Sequence, residues 1–258
     1  MRKQLTTAGF LAAALVVWAA LAFGKAAKAE ALVADLSNHL IAITTGFHGT
    51  DVLLFGATDG EGDVVVVVRG PEREIKVRRK ARVGGIWVNT DEMDFQNVPA
   101  FYQVASSREL GDFAPVELMT RHQLGLDYLK LPRVETPGEE APDVVDVDDF
   151  RRALIRGKKT HGFYLPEKRK VNFLGARLFR ADVYFPPNVP TGVYTIEVLL
   201  IRDGYIAGAQ TTPLVVSKAG LGAAIFNFAH NHAVLYGILA VALALAAGGL
   251  AGVVFRRV

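Results

Sequence analysis

The 258-residue chain contains no cysteine. That excludes a disulfide framework, lipoprotein attachment at the N-terminal end, covalent haem attachment and thiolate chemistry. Short motifs for hydrolytic chemistry are missing as well: no serine lies in a G-x-S-x-G elbow, and there is no H-E-x-x-H pair. Gly157-Lys158-Lys159-Thr160 matches only the end of a phosphate-binding loop, without the earlier glycine or the preceding strand. The six histidines are scattered. His230 and His232 are two residues apart, a spacing that turns them away from each other on a helix. Asp143, Asp146, Asp148 and Asp149 are interrupted by Phe150 and Arg151 where a calcium loop needs alternating ligands and a glycine, so they read as helix-capping acids. No catalytic residue, metal site or cofactor is predicted, and the chain reads as a non-enzyme.

The two ends of the chain are rich in apolar residues. Arg2 and Lys3 precede an apolar run from Ala8 to Phe23, which closes on Ala27-Lys28-Ala29. These are the three parts of a secretory signal, so residues 1–29 are predicted to be a signal peptide, with the exported chain starting at Glu30. The run approaches the ~17 residues that can just cross a bilayer, which keeps an uncleaved anchor open. Ala233 to Phe255 carries no charge. As a helix it reaches about 34 Å, against a hydrocarbon core of about 30 Å. The positive-inside bias keeps Arg256 and Arg257, in the tail 256–258, cytoplasmic. The expectation is a bacterial inner-membrane protein with one C-terminal span and most of its chain in the periplasm.

This topology also changes how the charge is read. The pI near 9.1 suggests a polyanion partner. Without the four bases of the signal segment and the two of the tail, 23 bases face 26 acids. Nucleic acid is therefore not an expected partner.

Between the ends, short apolar runs separated by turn formers predict strands at 39–45, 51–57, 63–69, 74–83, 86–89 and 100–106. Val64 to Val68 is an uninterrupted β-branched run, as suits a central strand buried on both faces. Strands resume at 171–173, 177–185, 193–202 and 205–216, the last two joined by the hairpin dipeptide Asp203-Gly204. Pro115 to Leu124 lacks the β pattern, Pro132 to Pro142 reads as a loop, and Asp148 to Arg156 has helical spacing. The predicted class is mainly β: an immunoglobulin-like antiparallel β-sandwich, or two, with a short helical insert and one transmembrane helix. The divisions fall at 30–107 (N-terminal sandwich), 108–160 (insert and loop), 161–217 (C-terminal strands), 218–232 (juxtamembrane) and 233–255 (span).

Two surfaces stand out. If 74–83 is extended, Lys76, Arg78, Lys80 and Arg82 line one face at about 7 Å intervals, with Arg69 and Arg73 nearby. Such a row is either neutralised by neighbouring acids, or meets an anion or acidic partner, or is the solvated face of an edge strand. In the span, Ala240, Ala244, Gly248 and Gly252 form a stripe of small residues along which another helix can approach closely.

The chain also resembles, end to end, a family of alphaproteobacterial transmembrane proteins known as conserved hypotheticals of this length. The resemblance rests on Phe55-Gly56-Ala57, Val68-Arg69-Gly70-Pro71, Arg78-Arg79-Lys80, Gly85-Ile86-Trp87-Val88-Asn89, Pro99-Ala100-Phe101-Tyr102 and the Tyr236–Arg257 tail. It implies no assigned activity, and it implies frequent gene neighbourhood with a permease of the sulfite-exporter type. The expected function is that of a membrane-anchored accessory or interaction module of such a permease, with self-association through the helix as a further partner mode. The alternative is a periplasmic domain that binds or senses an oxyanion through the basic strand.

Overall fold

The computed structural model describes residues 31–134, 144–165 and 169–255. The predicted signal peptide, Asp143 and the tail with Arg256 and Arg257 lie outside the described residues. The elements in order are β1 (Leu32–Leu36), β2 (Leu40–Ile43), β3 (Thr50–Thr58), β4 (Asp63–Arg69), β5 (Glu72–Val83), β6 (Ile86–Pro99) and β7 (Tyr102–Ser106). There follow α1 (Val116–His122), α2 (Val144–Thr160), β8 (Arg169–Lys170), β9 (Asn172–Leu174), β10 (Leu178–Phe185), β11 (Gly192–Arg202), β12 (Tyr205–Lys218), α3 (Leu221–Asn231) and α4 (Ala233–Phe255).

The strands build a four-stranded sheet, β1-β3-β10-β9, a six-stranded sheet, β2-β12-β11-β4-β7-β8, and the separate hairpin β5-β6. Pairing is antiparallel except at the two edges of the larger sheet, where β2 runs parallel to β12 and β8 to β7. Strands from before and after the helical segment share both sheets: β10 lies beside β3, and β11 lies between β4 and β12. The two halves of the chain therefore complete one sandwich.

Alternation along β4 explains why its valine run is unbroken. Val64, Val66 and Val68 face the four-stranded sheet, with Leu54, Phe179, Val183 and Phe185. Val65 and Val67 face the other way, into a second core closed by Met93, Phe95 and Val98 of the hairpin and by Phe150 and Leu154 of α2. A strand that is apolar at every position is stable only with both faces covered. Gly56 marks a close approach in the first core: a Cβ there would lie 2.4 Å from the Phe179 ring and 2.5 Å from the Val33 carbonyl oxygen. The Asp203-Gly204 turn has φ of 49° and 77°, the left-handed pair that a tight hairpin requires.

Three strand expectations change. β1 is an additional strand, short and adjacent to the predicted cleavage site. β6 continues to Pro99 rather than ending at Asn89, because Asp91–Phe95 pairs with Ile75–Arg79 of β5, and Val98 and Pro99 pair with Arg73 and Glu72. β8 is a two-residue extension at the sheet edge. α2 extends beyond 148–156 in both directions, and Gly157-Lys158-Lys159-Thr160 forms its last turn.

Candidate interaction surfaces

The basic strand is β5, and it alternates as expected. Ile75 and Val77 face the second core, while Lys76, Arg78, Lys80 and Arg82 lie exposed on the other side. Its partner β6 decides what those cations meet. Lys76 Nζ lies 2.8 Å from Glu92 Oε1 and 3.3 Å from Asp94 Oδ2, and Arg78 Nε lies 3.2 Å from Glu92 Oε2. The hydrogen bond from Lys76 holds the Glu92 carboxyl below its ordinary range, and the one from Arg78 adds to it. That bond likewise raises the Lys76 pKa. Half of the basic row is thus neutralised from within the hairpin.

A register shift between Arg79 and Lys80 leaves Thr90 as the extra residue of a bulge. Because side chains alternate with period two, this one residue sets the faces: it brings Asp94 opposite Lys76 and Glu92 opposite Arg78, and sends Met93 and Phe95 inward. Arg79, on the inner face, donates from Nη2 to Asp146 Oδ1 at 2.9 Å and sits 4.8 Å over the Phe150 ring. The acids that open α2 therefore hold the hairpin to the body. This role is not evident from the sequence.

Beyond the bulge the hairpin changes. Among the described residues Lys80 and Arg82 have no carboxylate partner, and Arg82 Nε donates to the Gly85 carbonyl 3.2 Å away. The turn Gly84-Gly85, with φ of 58° and 91°, carries Val83, Ile86 and Trp87, which are 56%, 66% and 69% exposed. This apolar tip was missed in the sequence reading. Its signal was a glycine turn flanked by Val and Ile-Trp where a hairpin turn is ordinarily polar.

The other predicted residues lie apart from this row. Arg73 Nη2 reaches the Thr191 carbonyl oxygen at 3.4 Å. Near it, Lys158 is half-buried over the rings of Phe163 and Tyr164, and burial, aided by the Arg73 charge, depresses its pKa. Arg69 turns away into a half-buried cluster, donating to Glu197 Oε2 at 2.6 Å and to the His122 carbonyl at 2.5 Å. His122 Nδ1 lies 3.5 Å from the other Glu197 oxygen. This cluster fastens α1 over the six-stranded sheet.

The span is α4, 23 residues long, of which Ala233–Gly252 has a mean hydropathy of 2.2 and none is buried by the other described residues. A Cβ added at Gly248 or Gly252 would meet nothing within 4 Å, so the small-residue stripe is open. A family model described as "Putative transmembrane protein (Alph_Pro_TM)" matches residues 31–257. The chain belongs to this family. It is a membrane protein with one C-terminal apolar helix, in keeping with the resemblance read from its sequence. No curated protein matches it.

Proposed function

We propose that this protein is a non-enzymatic accessory module of an inner-membrane anion permease of the sulfite-exporter type. Its sandwich lies in the periplasm and its C-terminus in the cytoplasm. The observation that carries the reading is that the two cores close without α4 and without the hairpin tip. Both surfaces stay bare among the described residues. A large exposed apolar surface in a folded protein is ordinarily one that meets something else. For α4 that is lipid on most sides and, along Ala240, Ala244, Gly248 and Gly252, a neighbouring helix.

Affinity purification of the tagged chain from its native membranes in mild detergent tests the proposal. The expected result is recovery of a multispan permease in fixed ratio to the bait. Recovery of the chain alone, or only as a multimer of itself, would overturn it.

A further inference from the structure

We propose that the tip of the β5–β6 hairpin is a second membrane contact, seated on the anionic headgroups of the bilayer that holds α4. The two faces of the tip suit that surface. Cross-strand pairing puts Arg82 beside Trp87 and Lys80 beside Asn89 on one face, and Val83 beside Ile86 with Ala81 beside Val88 on the other. From Lys80 to Asn89 the chain has two cations and no acid, whereas the inner half of the same hairpin pairs its cations with carboxylates. Apolar side chains at a turn, a tryptophan, and flanking bases without acids match the chemistry of the membrane–water boundary. There, indole rings sit at headgroup depth and bases reach toward phosphates.

Exposure and chain length agree with this assignment. Val83, Ile86 and Trp87 are all more than half exposed, so their apolar surface contributes nothing to either core. The root of the hairpin is tied at Arg73 to Thr191. Thr191 lines one cavity together with Lys218 and Gly220, from which the chain proceeds to the span. Root and anchor thus leave the sandwich at the same end. Past the Thr90 bulge the free part of the strand, Lys80 to Val83, extends about 13 Å, comparable to the length of the 11-residue α3 between sandwich and span, about 16 Å. The inference needs only the anchored topology, so the absence of a permease would leave it intact.

Trp18 and Trp87 are the two tryptophans of the sequence. The full-length Trp18→Phe chain, reconstituted into nanodiscs, therefore reports on Trp87 alone. In discs of phosphatidylcholine with one third phosphatidylglycerol, Trp87 emission should shift to the blue relative to detergent, and brominated acyl chains should quench it. Each cation near an anionic surface is worth about a fivefold change in partition, so Lys80→Glu with Arg82→Glu should bring quenching down to the level of neutral discs. Those variants are at exposed positions, and an unchanged melting temperature of the same samples verifies their fold. Equal acrylamide access to Trp87 in detergent and in anionic discs would overturn the proposal. So would quenching indifferent to lipid charge and to both substitutions, or shielding that appears only when another protein is present.

Discussion

The inner and outer halves of the β5–β6 hairpin share two strands, one turn and the same alternation, yet their physical surroundings are opposite. In the inner half, Ile75, Val77, Met93, Phe95 and Val98 enter the second core, and the cations on the other face find carboxylates across the strand pair. In the outer half, past the Thr90 bulge, the apolar residues are exposed and the cations find none among the described residues. A two-stranded hairpin has little stability of its own. The inner half supplies what holds the arm, and the outer half is free for contact outside the chain.

This contrast is most severely tested at Phe95, which is fully buried in the inner half. Phe95→Ala should destabilise the protein by about 3–5 kcal/mol, seen as a large fall in melting temperature of the detergent-solubilised chain, because a ring-sized cavity opens between hairpin and sheet. Arg79→Ala should lower the melting temperature much less, because it removes only a part-exposed ion pair and a cation over a ring. Its distinguishing sign is earlier hydrogen exchange of β5 than of β4.

Acidification should loosen the inner half before the sandwich. Glu92 titrates below the ordinary glutamate range, so its contribution is complete above that range and is lost as pH falls through its folded value. Once Glu92 is protonated, Arg78 loses its carboxylate and Lys76 keeps Asp94 alone. The melting temperature should then decline, and Glu92→Gln should flatten the decline while lowering stability slightly at neutral pH. Smallest of all should be Ile86→Ser and Trp87→Ser, each changing stability by about 0.5 kcal/mol or less. A large loss from either would mean that the tip is packed, and the contrast between the halves would fail.

Much of the fold was legible in the sequence because its signals are local. The valine run of β4, the Asp203-Gly204 turn and the uncharged span each state their environment within a few residues. The basic row of β5 was legible for the same reason. What it meets was not, since the answer lies across the strand pair and depends on a one-residue bulge at Thr90. Read without that bulge, the Gly84-Gly85 turn would set Met93, not Asp94, opposite Lys76. The separation of Arg69 from the row follows from tertiary packing of α1, and nothing adjacent in sequence announces Glu197 as its partner. β1 was missed because five residues beside a predicted cleavage site give little periodicity to read.

The central claim is that the bare helix α4 recognises a membrane partner along its small-residue stripe. Its most direct test is photo-crosslinking in intact cells, with a photoreactive residue at position 244 on the stripe or at position 242 on the opposite side. The account predicts that position 244 yields a single heavy adduct containing a multispan permease and that position 242 yields only lipid or nothing. Gly248→Leu should remove the adduct at 244, by filling the space a neighbouring helix needs. Equal labelling from 242 and 244, or an adduct indifferent to Gly248→Leu, would contradict the claim and leave α4 as an anchor only.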